Sequence, residues 1–139
     1  IPALFTIGAQ YSAIEAVRLN GGFYLYFAKD AKGTPIKEGK NTWEASIGAE
    51  TDLDENWTAS FGFQRTQYGF DDADMSDTNF NNSNFSLGFG GAYKVNDLLK
   101  INFGYYHTFY DEHEVTSATG VDVYNRKNDV VGVSLDFKF

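Results

Sequence analysis

Val130-Val131-Gly132-Val133-Ser134-Leu135-Asp136-Phe137-Lys138-Phe139 ends the sequence, and its alternation decides the fold. Val131, Val133, Leu135, Phe137 and Phe139 fall on one face. Val130, Gly132, Ser134, Asp136 and Lys138 fall on the other. Period 2 is the signature of a strand with two unlike faces. Working back through the chain, the same pattern returns six times. Leu99, Ile101, Phe103 and Tyr105 oppose Lys100, Asn102, Gly104 and Tyr106; Phe85, Leu87, Phe89 and Tyr93 oppose Ser86, Gly88, Gly90 and Lys94. Trp57, Ala59, Phe61 and Phe63 oppose Thr58, Ser60, Gly62 and Gln64, and Trp43, Ala45, Ile47 and Ala49 oppose Glu44, Ser46, Gly48 and Glu50. Leu19, Phe23, Leu25 and Phe27 oppose Arg18, Asn20, Tyr24 and Tyr26; Phe5, Ile7, Ala9 and Tyr11 oppose Thr6, Gly8 and Gln10. Seven strands follow: Pro2–Ala13, Val17–Asp30, Thr42–Leu53, Trp57–Phe70, Asn84–Val95, Leu98–Asp111 and Asn128–Phe139. No helical period competes.

Alternation also describes a half-buried antiparallel sheet in water, so a second observation is needed. These strands run to about 10–14 residues, whereas globular strands cluster near 5–6. A tilted membrane crossing needs about 9–11 residues. The face opposite the apolar one mixes Gly, Ser, Thr, Asn and Gln with Tyr and charge, as a wet or ligand-filled lumen would. Backbone groups in lipid have no water to bond, so such strands must close into a barrel.

The connections set the orientation. Ile14–Ala16, Asp54–Asn56 and Asn96–Asp97 are tight links. Ala31–Asn41, Asp71–Ser83 and Glu112–Lys127 are long and polar. Outer-membrane barrels have short periplasmic turns and longer external loops, which puts Phe139 at the periplasmic side and Ile1 at the external side. Bacterial single-chain barrels have even strand numbers, so seven strands predict at least one more upstream. Residues 1–139 read as the C-terminal portion of one barrel domain. Aromatic girdles fit the same orientation: Tyr11, Trp57, Tyr93, Phe137 and Phe139 at the periplasmic end, Phe27, Trp43 and Phe109 near the external end. Aromatic residues are also common in any β-rich chain.

Composition narrows the function classes. Across 139 residues there are 13 Phe, 9 Tyr and 2 Trp, yet mean hydropathy is −0.37. No apolar run approaches the ~18 residues of a spanning helix, and helix-based hydropathy cannot see a barrel. With no cysteine there is neither a disulfide framework nor a thiolate metal site. A net charge of −8 argues against a nucleic-acid partner. No signal peptide stands at Ile1. No nucleophile elbow, phosphate loop or other catalytic motif occurs, so the expectation is a protein that is not an enzyme and uses no cofactor.

Two stretches carry a family resemblance. Pro2-Ala3-Leu4-Phe5-Thr6-Ile7-Gly8-Ala9-Gln10-Tyr11 resembles the P-x-x-x-x-x-G-x-x-Y strand that opens the second half of long-chain fatty-acid transporters of the FadL/TodX type. Val133-Ser134-Leu135-Asp136-Phe137-Lys138-Phe139 is similar to the terminal strand of outer-membrane proteins generally. The resemblance implies that the last aromatic, Phe139, is read by the barrel-assembly machinery. It also implies that these residues form the last seven of fourteen strands in the bacterial outer membrane. The implied function is passive uptake of small hydrophobic compounds such as long-chain fatty acids. The family's N-terminal plug and its lateral opening in an early strand would lie outside this chain, and no ligand-contacting residue carries over by motif.

The inward face has a gradient. Its external half carries Tyr24, Tyr26, Tyr68, Tyr106 and Tyr110, expected to line a site for a hydrophobic molecule, because a Tyr ring packs on apolar chains while its hydroxyl keeps a hydrogen bond. Its periplasmic half carries Arg18, Glu50, Asp52, Lys94, Lys100, Asp136 and Lys138. Against this stands plain lumen filling, with the charges satisfying one another. Asp71, Asp72, Asp74 and Asp77 form an acidic external loop that could hold Ca²⁺, but the EF-hand Gly and Glu are missing. A solvated loop, or one bridged by divalent ions to lipopolysaccharide, reads better. Asp111-Glu112-His113-Glu114 with His107 lacks the H-E-x-x-H spacing, and no metal site is expected. The remaining alternatives are a general porin, a structural subunit of an outer-membrane complex, and a soluble lipid-binding β-barrel.

Overall fold

The computed structural model describes residues 3–14, 16–27, 29, 40–69, 82–117 and 120–138. Its strands are β1 (Leu4–Ile14), β2 (Val17–Tyr26), β3 (Thr42–Asp52), β4 (Trp57–Gln67), β5 (Asn84–Lys94), β6 (Leu99–Tyr110), β7 (His113–Ser117), β8 (Gly120–Tyr124) and β9 (Lys127–Phe137). Seven form one antiparallel sheet in the order β1-β2-β3-β4-β5-β6-β9, and β7-β8 pair as a separate hairpin. The sheet does not close on itself. β1 and β9 are its edges among the described residues.

The long strands match the expected set, with ends trimmed by a few residues: β2 stops at Tyr26 and β4 at Gln67. The hairpin β7-β8 lies within the long polar link Glu112–Lys127 and adds two short strands to the seven expected. Five residues per strand are too few for a period to show, and Asp, Glu, Thr and Ser in that stretch read as loop. Ile1, Pro2, Phe70, Asp71, Asp72, Asp74, Asp77 and Phe139, which carry part of these expectations, lie outside the described residues, as do the side chains of His113 and Glu114.

Register carries the alternation intact from strand to strand. Phe23 pairs with Ala45, Ile47 with Phe63, Phe61 with Phe89, Phe89 with Tyr105, and Phe103 with Val133. A slip of one residue would reverse the faces of a whole strand; the register shifts only beside the β1–β2 turn, where pairing passes from Tyr11 with Leu19 to Ile14 with Val17. Tight turns hold this register by local chemistry. Asp54 Oδ1 accepts the backbone N–H of Asn56 and Trp57 at 2.7 and 2.8 Å. Asn96 Oδ1 does the same for Leu98 and Leu99 at 2.9 Å each. Both are turns closed by an Asx side chain, which substitutes for the missing backbone bonds. At the β1–β2 turn Ala16 sits at φ 67°, a left-handed conformation that normally falls to Gly or Asn.

There is no dry core. The only buried apolar side chain among the described residues is Ala92, while Val131 is 76% exposed, Val133 71% and Phe137 58%. Phe103 and Leu135 are exposed and Phe85 and Leu87 half-buried, all on the same outward face. Outward aromatics pair across neighbouring strands at both ends of the sheet, tilted in one pair and stacked in the other. Trp57 meets Tyr93 at 4.6 Å between centroids near the tight turns, and Phe85 meets Phe109 at 4.7 Å near the long connections. Cross-strand aromatic pairs of this kind stabilise a sheet by roughly 0.2–1 kcal/mol each. No helix among the described residues is long and apolar enough to cross a membrane, which says nothing of strands.

Candidate functional site

The polar face is the concave one. Inward side chains of β3, β4, β5, β6 and β9, with Tyr68 just past β4, line one hollow of about 530 Å³ toward the long connections. Its floor is kept clear by glycine: Gly62 on β4 pairs with Gly88 on β5, and both face the hollow. A Cβ added at either position would meet only ordinary van der Waals contacts, at 3.6 Å or more. Local packing therefore does not require glycine here, and its effect is to leave open space at mid-height. The walls are hydroxyls and amides. Ser86 and Thr108 share a hydrogen bond of 2.8 Å across β5–β6, Thr66 Oγ1 donates to Glu44 Oε2 at 3.3 Å, and Gln64 Nε2 donates to Thr66 at 3.5 Å.

Of the five tyrosines expected at a ligand site, Tyr68, Tyr106 and Tyr110 line this hollow. Tyr24 and Tyr26 share the face but stand on β2, one strand beyond the wall: Tyr24 is the cross-strand partner of Glu44 and Tyr26 of Thr42. Burial pushes the Tyr68 phenol up, with the nearby Glu44 carboxylate and the Tyr110 and Tyr26 phenols adding to the effect. The phenol therefore stays protonated at neutral pH. At the rim, the Arg126 guanidinium lies 5.2 Å from the centre of the Tyr110 ring.

At the other end of the same face the charged residues lock together. Arg18 spreads over two acids: Nε donates to Glu50 at 2.7 Å, and both terminal nitrogens reach the two Asp52 oxygens at 2.7 Å. Thr58 completes Asp52 at 2.9 Å. Asn102 donates to Asp136 at 2.8 Å, and Lys94 pairs with Asp97 at 2.6 Å. The Lys94 ammonium holds the Asp97 carboxyl below the usual carboxylate range. The side chains in the Arg18 pairs are a third or more exposed, so such pairs add little stability singly. The bidentate Arg geometry instead fixes orientation. Lys100 and Lys138 border the same basal hollow.

Two polar clusters on the outward face had no counterpart in the sequence reading. Arg65 on β4 reaches Asp111 at 2.8 Å and Gln67 at 3.2 Å. Asp129 on β9 accepts Tyr105 Oη and contacts His107 Nδ1, each at 2.6 Å. Both clusters lie toward the long connections, interleaved with outward aromatics: Arg65 is cross-strand from Phe85, and the His107 ring meets Phe109 at 4.3 Å. The signal was present, since the outward parity continues through Arg65, Gln67, His107, Asp111 and Asp129. His107 thus has a carboxylate partner, and among the described residues no three acidic or histidine side chains cluster as a metal site would require.

The fold has a solved counterpart. It is similar to the crystal structure of a FadL homologue from Pseudomonas aeruginosa, with a TM-score of 0.77 and 16% sequence identity over 98% of this chain. The chain has the fold of part of a FadL-type barrel. It spans about a third of that structure, covering 35% of its length. No protein-family profile matches the sequence, and no curated protein aligns with it. The likeness therefore rests on three-dimensional form. The expected antiparallel barrel segment is what the sheet shows, with the apolar residues outward. A soluble lipid-binding barrel would place them inward, around its ligand.

Proposed function

We propose that this chain forms part of an outer-membrane barrel through which small hydrophobic compounds pass without energy input. The observation that carries this reading is the hollow on the concave face. Three tyrosines, Tyr68, Tyr106 and Tyr110, stand in a wall of hydroxyls, amides and the Glu44 carboxylate, on a sheet whose convex face is apolar and exposed. Phenol rings give a migrating apolar molecule a surface to slide on, and the polar groups between them keep it from being held too tightly. Long-chain fatty acids, the compounds the resemblance names, belong to this class by their tails.

Open strand edges cannot stand in hydrocarbon. In this reading β1 and β9 therefore pair with further strands of a barrel, fourteen in all, in the bacterial outer membrane. Acyl chains cover Val131, Val133 and their outward neighbours, lipopolysaccharide meets the outward polar clusters at Arg65 and Asp129, and the assembly machinery reads Phe139. No catalytic step is assigned to the chain. The polar wall favours one other reading, a diffusion pore for hydrophilic solutes.

Both are tested by uptake into proteoliposomes carrying the whole barrel protein. Replacing Tyr106 and Tyr110 together by Ala is expected to slow entry of a neutral aromatic tracer several-fold while leaving a small sugar unaffected. Unchanged tracer uptake at equal protein incorporation would overturn the proposal, and rapid sugar uptake by the unaltered protein would favour the pore.

A further inference from the structure

Glu44 stands on β3 and points into the hollow. Among the described residues it receives one hydrogen bond, from Thr66 at 3.3 Å. Among the described residues no Lys, Arg or His pairs with it. The basal acids differ: Glu50 and Asp52 share Arg18, and Asp97 holds Lys94. Nor is there a cation in the wall. The side chains lining the hollow include no Lys, Arg or His. Arg65, close in sequence to Thr66, is turned to the opposite face and held by Asp111, and Arg126 at the rim lies against the Tyr110 ring.

A half-buried carboxylate without a partner is costly unless something compensates it. The surroundings are suited to one kind of compensation. Tyr68 lies close enough for the Glu44 charge to act on its phenol, Tyr24 is its cross-strand neighbour, and Tyr106 and Tyr110 stand across the hollow. Ring faces attract cations through the π quadrupole, and an ammonium between rings and carboxylate gains from both. A carboxylate ligand placed there would meet like charge and no donor stronger than a hydroxyl or amide.

We propose that Glu44 gives the hollow a charge preference, so that it accepts hydrophobic molecules bearing an ammonium group, takes neutral ones less well, and rejects carboxylates. This rests on reading the hollow as a path for hydrophobic compounds and sharpens it: a fatty acid would cross this level against its head-group charge.

The test uses the whole barrel protein in detergent and three probes of matched size: phenethylammonium, 2-phenylethanol and phenylacetate. Ligand-observed NMR titration should rank them in that order, with the ammonium at least tenfold tighter than the carboxylate. Glu44→Gln should bring the ammonium down to the affinity of the alcohol and leave the alcohol within about twofold. Glu50→Gln, at the base, should leave the order unchanged. Phenylacetate binding as tightly as phenethylammonium, or an order that survives Glu44→Gln, would overturn the charge preference alone. Failure of all three probes to bind would overturn the hydrophobic path and this inference with it.

Discussion

At the same rows of one sheet the two faces meet different surroundings. On β9 the outward Val131 and Val133 are 76% and 71% exposed with nothing packed over them. The inward Ser134 and Asp136, just beyond them, are engaged by Asn102 at 3.3 and 2.8 Å. A water-soluble sheet would invert this, hiding the valines and wetting the serine. The contrast places the apolar side chains of these rows on the uncovered face, which the proposed reading gives to hydrocarbon. Side-chain hydrogen bonds line the concave side, and on the outward face they gather in the Arg65–Asp111 and Asp129 clusters.

That comparison breaks if charge is equally tolerated on both faces. Val133→Arg should destabilise the barrel by about 2–4 kcal/mol, the cost of an arginine on the lipid face near the bilayer midplane. Ser134→Arg, one residue on, should cost far less. Urea unfolding of the whole barrel in lipid vesicles reads both; equal losses would mean the two faces share one environment.

A smaller effect separates glycines that pack from glycines that clear space. Gly91 is outward, and an added Cβ would lie 2.8 Å from the Phe103 ring and 2.9 Å from the Thr58 carbonyl oxygen. Gly132 is inward, with nothing within 4 Å of the same atom. Gly91→Ala is expected to cost about 1–3 kcal/mol as overpacking, and Gly132→Ala well under 1 kcal/mol. Matching unfolding midpoints for the two variants would show that the Phe103–Gly91 contact does not hold the sheet.

Much of this could be read from the chain because period 2 survives in every long strand and the turns differ so plainly in length. Asp54 and Asn96 sit where a tight turn needs an Asx side chain, and the register followed. The site was readable only in part. Alternation assigns Tyr24, Tyr68 and Tyr110 to one face, but which of them share a hollow depends on strand tilt and curvature, and those are properties of the assembled sheet. Glu44 looked like one more polar residue in an alternating strand. Its interest lies in the cation it lacks, and a missing partner becomes visible only when the neighbours from β2 and β4 are in place. The Asp129 cluster escaped for a similar reason: Tyr105, His107 and Asp129 meet only across β6–β9.

The central claim, that the outward side chains are solvated by acyl chains, has a direct test. These 139 residues contain no cysteine, so nitroxide labels can be placed singly at positions 131 to 136 of the barrel in liposomes. Collision rates with oxygen, which concentrates in lipid, and with a water-soluble nickel chelate then report the surroundings of each position. Labels at 131, 133 and 135 should be accessible to oxygen and shielded from nickel, with 132, 134 and 136 the reverse. Odd positions shielded from both reagents would mean a packed protein interior, and the membrane assignment would be wrong.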